Sequence, residues 1–210
     1  MKIGVFDSGI GGLNILNGLQ QALPEHDFEY ACDTEHVPYG NKSPEEIIRL
    51  TTAGVQQLAK DCEVVVIACN TATSYAIDTL RQVYPNTRFV GLEPAIKPAS
   101  ALTESGALAV CATPATLASA NYRQLLQAHA KGLTVVEPDC SNWASLIEHG
   151  QADQIQLEGL SSELCEKGCD TVVLGCTHYH TLKPKLAKLI PGAAILEPCD
   201  AVLKQVKRFL

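Results

Sequence analysis

Two short segments of the 210-residue chain place a cysteine where it could move a proton. Val64-Val65-Val66-Ile67-Ala68-Cys69-Asn70-Thr71 and Thr171-Val172-Val173-Leu174-Gly175-Cys176-Thr177-His178 are each an apolar run ended by cysteine and followed by small polar residues. Apolar runs of this length read as buried strands. A cysteine between such a strand and a helix start sits where helix N–H groups and polar neighbours tune its thiol. For one such residue, a buried inert thiol is the simpler account. Two in matching contexts point to paired chemistry. Opposed thiols suit inversion at a carbon acid: a thiolate removes the proton from one face while a thiol delivers one to the other. Free thiols titrate at about 8.5, so modest tuning keeps one of each form present near neutrality.

A third segment, Phe6-Asp7-Ser8-Gly9-Ile10-Gly11-Gly12, is a strand end followed by a glycine turn. Backbone N–H groups converge at such a turn and can hold a phosphate or carboxylate. Its spacing fits neither the dinucleotide fingerprint nor the P-loop, and a purely structural turn reads equally well.

Strands and helices alternate around these segments. The pattern predicts strands at Lys2–Phe6, Val64–Ala68, Phe89–Leu92, Ala107–Ala112, Thr134–Glu137, Thr171–Leu174 and Ala194–Leu196. It predicts helices at Leu13–Leu23, Pro44–Asp61, Thr73–Val83, Leu117–Ala130, Asn142–Glu148, Gln154–Lys167 and Pro184–Leu189. Strands that are apolar on both faces imply parallel sheets covered by helices, an α/β fold. Cys69 and Cys176 lie 107 residues apart; the strand ends at Asp7 and Thr113 lie 106 apart. The shared offset suggests two pseudo-symmetric α/β domains, 1–95 and 96–194, with 195–210 returning to the first. Ligands of parallel sheets gather at the carboxyl ends of strands, so a cleft between the domains would have one cysteine on each side.

Composition narrows the class. A hydrophobic fraction of 46% and a charged fraction of 19% describe a globular chain. The net charge of −7, with no basic patch, argues against nucleic acid. No apolar run is long enough to span a membrane, and the N-terminus enters a strand at once without a signal-peptide pattern, so a cytoplasmic protein is expected. Nine cysteines are too sparse for a disulfide-stapled fold. Cys165 and Cys169 share a helical spacing but have no second pair nearby in sequence, so no metal is expected.

The segments FDSGIGG, PYG, ACNTA, GLEPA and GCTHY, in this order, resemble the aspartate/glutamate racemase superfamily on its glutamate branch. The likeness runs from Ile3 to about Thr181, and its paired cysteine motifs are the specific part. It implies cofactor-independent interconversion of L- and D-glutamate, supplying D-glutamate for peptidoglycan, with a homodimer left open. By position, Cys69 would handle the Cα proton on the D-glutamate side and Cys176 that on the L-glutamate side. Asp7 would assist Cys69; His178 and Glu148 would assist Cys176. Ser8, Pro38, Tyr39, Gly40, Asn70, Thr71, Thr113, Thr116 and Thr177 match substrate-holding positions.

A dianionic amino acid needs hydroxyl, amide and backbone donors, together with an acceptor for its ammonium, and this set provides them. Local alternatives stay open: Asp7 as a helix cap, His178 as a structural histidine, Glu148 as a solvated helix-end residue. Two positions depart from the family pattern. His180 stands where proline is usual, and Glu197-Pro198-Cys199-Asp200 replaces a second Asp-Ser-Gly. Rival readings are a racemase of another amino acid such as aspartate, and a catalytically degenerate homologue that binds an amino acid or dicarboxylate.

Overall fold

The computed structural model describes residues 1–210. In the first half, β1 (Lys2–Asp7), α1 (Gly12–Ala22), β2 (Asp27–Cys32), α2 (Pro44–Gly54) and α3 (Gln56–Asp61) precede β3 (Val64–Ile67), α4 (Asn70–Val83) and β4 (Arg88–Gly91). The second half opens with α5 (Ile96–Leu102), β5 (Ala107–Ala112), α6 (Pro114–Ala118), α7 (Ala120–His129), β6 (Thr134–Val136) and α8 (Trp143–Glu148). It continues with α9 (Leu157–Glu166), β7 (Thr171–Gly175), α10 (Lys183–Leu189) and β8 (Ala194–Leu196), and α11 (Cys199–Val206) ends the chain.

The strands form two four-stranded sheets, ordered β2-β1-β3-β4 and β6-β5-β7-β8, with every pairing parallel. The two orders are the same topology written twice. β1 corresponds to β5 and β3 to β7, so Cys69 and Cys176 follow equivalent central strands, as the repeat predicts.

Each central strand is buried on both faces because its alternate residues feed different cores. Val65 and Ile67 face the layer of α2 and α4, while Val64 and Val66 face that of α1 and α11. In the second sheet Val172 and Leu174 join Trp143, Ile147 and Tyr179, and Val173 points to the opposite cluster with Ile96 and Tyr122. This double burial makes the strands apolar throughout.

Local signals set several boundaries. Ser43 caps α2 by accepting from Glu46 N–H, with Pro44 in the first turn. The single helix expected over 117–130 is two: Ser119 is extended and its hydroxyl accepts from Tyr122 N–H, starting α7 anew. β2 escapes the pattern because, as an edge strand, it is only part-buried. Ile195 and Leu196 pair with Val172 and Val173, so the chain leaves the second sheet only after Leu196, not at 195. α11 then packs on α1, β3 and β4. No helix is long and apolar enough to cross a membrane.

Candidate active site

The carboxyl ends of β1, β3 and β7 meet at a narrow cleft between the two sheets. It is lined by Ser8, Pro38, Tyr39, Gly40, Cys69, Asn70 and Thr71 from the first half. The second half adds Thr113, Ala144, Cys176, Thr177 and His178. Its free interior is about 10 Å³, room for about one water molecule.

Cys69 is buried and caps α4: its sulfur accepts from Ala72 N–H at 3.4 Å and its thiol donates to the Ser8 hydroxyl at 3.5 Å. α4 starts at Asn70, not at Thr73 as the pattern suggests, which brings the helix N-terminus onto the sulfur. Burial, reinforced by the nearby Asp7 charge, pushes this thiol up to about 12. Cys69 therefore holds its proton.

Asp7, fully buried, lies behind the lining. One carboxylate oxygen accepts from Gly9 and Gly12 N–H, each at 3.1 Å, and the other from the Thr177 hydroxyl at 3.3 Å. Burial pushes its carboxyl up, against the His178 charge and these donors. Asp7 is thus more than a helix cap, since its third donor comes from the opposite half.

Cys176 is partly exposed and leads into a 3-10 turn, with no helix N–H capping its sulfur. Its partner is His178, whose Nδ1 lies 3.7 Å from Sγ. His178 Nε2 contacts Glu148 Oε2, which also accepts from Ile10 N–H at 3.2 Å. Burial works against a charge on His178, yet the bonds to Cys176 and Glu148 outweigh it and raise the imidazole to about 11. On Glu148, burial is likewise outweighed, by His178 and the Ile10 N–H, and the carboxyl is lowered. An imidazolium–carboxylate pair therefore backs Cys176, and neither residue is a solvated bystander.

The polar wall is equally ordered. Thr71, Thr113 and Thr116 hydroxyls bond one another at 2.8–3.2 Å across the two halves. Thr116 stands behind the cleft and Thr113 doubles as the N-cap of α6. Asn70 is 2% exposed, and neither its amide nitrogen nor its oxygen has a partner. A buried orphan polar group costs about 1–3 kcal/mol, which a ligand with complementary groups would recover.

Backbones touch where the halves meet. A Cβ on Gly11 would lie 2.5 Å from Thr177 Oγ1, and one on Gly40 would lie 2.7 Å from Thr113 Cβ.

Every residue singled out from the sequence is at the cleft or one hydrogen bond behind it. The sequence reading missed Asp33, whose carboxylate takes the Tyr39 hydroxyl at 2.8 Å and His36 Nδ1 at 2.8 Å. It also missed Ala144, which is part of the wall. A recognised β2 would have revealed Asp33, which directly follows that strand at the same carboxyl edge as Asp7. His180 does not approach Cys176 as a partner; its Nδ1 pairs with Glu197, which also takes Lys183. That carboxylate sits where the chain crosses between the sheets.

Comparison with known proteins agrees with this geometry. The family model described as Asp/Glu/Hydantoin racemase matches residues 11–206. The chain is 43% identical to glutamate racemase of Pseudomonas putida (strain W619), over 99% of its own length and 81% of that protein. Its structure is similar to Escherichia coli glutamate racemase in complex with L-glutamate and the activator UDP-MurNAc-ala, with a TM-score of 0.86 and 30% identity, covering 99% of this chain and 81% of that one. It is also similar to the Francisella tularensis enzyme in complex with D-glutamate, with a TM-score of 0.83 and 29% identity over 100% and 80% of the two chains. With two matching sheets, a thiol at each equivalent strand end and a family match across nearly the whole chain, this protein belongs to the Asp/Glu/hydantoin racemase family.

Proposed function

We propose that the chain interconverts L- and D-glutamate without a cofactor, by proton transfer at Cα between Cys69 and Cys176. The observation that carries this reading is the single cleft lined by both thiols, each delivered by the equivalent strand of a repeated sheet. Similarity to proteins named glutamate racemase supports the substrate.

The two sides are prepared differently. Cys176 has a positive hydrogen-bond partner in His178, the environment a thiolate base requires. Cys69 holds its proton and serves as the acid. With L-glutamate, Cys176 takes the Cα proton while Cys69 delivers one to the opposite face. The electron pair left at Cα is held between the two transfers by the polar wall, then captures the Cys69 proton. In reverse the roles exchange: Cys69, left as a thiolate by its own transfer, takes the Cα proton and Cys176 delivers one, with Asp7 held behind the lining as the carboxylate on the Cys69 side. The ammonium would meet acceptors on Asn70 and Ser8. The carboxylates would meet the Thr71, Thr113 and Thr177 hydroxyls and the Asn70 amide. Close walls keep water away from a weakly acidic carbon and from protons in transit.

In this reading the first sheet with α11 and the second sheet are the two walls of one site. Use of D-glutamate in peptidoglycan and a cytoplasmic location belong to the same proposal.

The test is incubation with L- or D-glutamate in deuterated water without added cofactor, following optical rotation and deuterium at Cα. Racemisation of both enantiomers with deuterium incorporation is expected. Tight binding without exchange would assign a binding role instead, and exchange with aspartate alone would change the substrate.

A further inference from the structure

We infer that Tyr30, on the edge strand of the first sheet, is a positioning residue for the acid–base group of the opposite half. The inference rests on the racemase reading above for its kinetic arm only. The Tyr30 hydroxyl donates to Gly9 O at 2.6 Å. Ile10 N–H, the other end of that same peptide unit, donates to Glu148 Oε2 at 3.2 Å. A peptide unit is planar and trans, so its C=O and N–H point in opposite directions and fixing one aims the other. A donor on the carbonyl also polarises the unit and strengthens its N–H as a donor.

From Ile10 the chain of contacts continues through Glu148 to His178 and from His178 to Cys176. Tyr30 thus starts a hydrogen-bonded line that leaves its own sheet, crosses the cleft through one backbone plane and ends on the partner thiol. The preceding N–H of the turn, on Gly9, is committed to Asp7. Two successive peptide N–H groups therefore serve the helper carboxylates of the two thiols, and Tyr30 holds only the second. The approach is tight: a Cβ on Gly12 would stand 3.0 Å from the Tyr30 hydroxyl. Burial and the neighbouring Asp7 charge push that hydroxyl upward, so it remains a donor wherever the protein is folded.

The experiment compares Tyr30→Phe in the full chain and in a Glu148→Gln background. In the full chain kcat should fall about three- to tenfold, the loss of one well-placed hydrogen bond, with KM for glutamate within about twofold. In the Glu148→Gln background the same change should alter kcat by less than about twofold, since the line is already cut. Ring-nitrogen NMR of His178, assigned by comparison with His178→Asn, should show its imidazole losing its proton at lower pH in Tyr30→Phe. Equal losses in both backgrounds, a change in KM alone, or a lowered melting temperature with an unmoved His178 signal would each overturn the inference. If the parent chain does not racemise glutamate, the racemase reading fails, and the His178 signal still decides the role of Tyr30.

Discussion

The two halves share strand order, pairing and the position of a cysteine, yet they treat that cysteine in opposite ways. Around Cys69 a regular helix begins at once, and the sulfur is buried and capped by a backbone N–H. Around Cys176 the chain makes a 3-10 turn, leaves the sulfur uncapped and supplies a charged imidazole two residues later. Burial keeps one thiol protonated, while a cation stands beside the other. A repeated fold thus delivers two like groups to opposite sides, and short local differences after each strand make them unlike. Symmetry supplies the geometry; asymmetry supplies two unlike thiol environments, as the proposed acid and base require.

The largest effect should come from removing either sulfur. Cys69→Ala and Cys176→Ala are each expected to lower racemisation by at least about 10²–10⁴-fold, the usual scale of a general acid or base. If either variant kept full activity, the pairing of the halves would lose its chemical meaning.

Replacing the helpers should reveal the asymmetry. His178→Asn is expected to lower kcat by about 10²-fold, at the low end of that scale. The two enantiomers are equally stable, so kcat/KM must remain equal in both directions. The difference is therefore read in kcat, which should fall further with L-glutamate than with D-glutamate. Asp7→Asn should show the opposite bias.

The interface itself can be probed at Gly11, whose φ of −59° and ψ of −32° suit alanine. The atoms nearest to a Cβ there belong to Thr177 and His178 of the opposite half. Gly11→Ala should lower kcat/KM by about tenfold and lower the melting temperature as well, because the added Cβ meets buried Thr177 and the His178 backbone and the two halves must shift to admit it.

The charged pair also predicts a pH signature in stability. The imidazole of His178 is raised from 6.5 to about 11, so its contribution is complete below 6.5 and fades as pH rises toward 11. The melting-temperature gap between the parent chain and His178→Asn should narrow across that window. The smallest effect is expected at the other unusual histidine. His180→Ala should change kcat by no more than about twofold, since its imidazole is paired with the Glu197 carboxylate and makes no hydrogen bond to the thiol. A large loss there would move part of the second half's acid–base work from His178 to His180.

Much of this arrangement was legible because it is local. Strands buried on both faces have an apolar signature, and cysteines at their ends are visible in the same few residues. The repeat offset placed Asp7 opposite Thr113 and Cys69 opposite Cys176, as the sheets do. Part-buried β2 lacked that signature, and with it went Tyr30 and Asp33. The start of α4 was set three residues late because Asn70 and Thr71 carry weak helical preference; the Cys69 cap decides the start there. The partner of His180 lies across a chain crossing, in Glu197, where no local spacing could indicate it. Nor could spacing show that one Glu148 oxygen serves both His178 and Ile10.

The small free volume of the cleft has a kinetic consequence. A space for one water molecule cannot admit an amino acid, so the seam must part before glutamate enters and again before it leaves. When the competent form is a minor population, capture cannot outrun its appearance. Stopped-flow binding should therefore rise with glutamate concentration and then level off at the rate of parting. Gly11→Ala, which wedges the same seam, should raise that plateau even as it slows turnover.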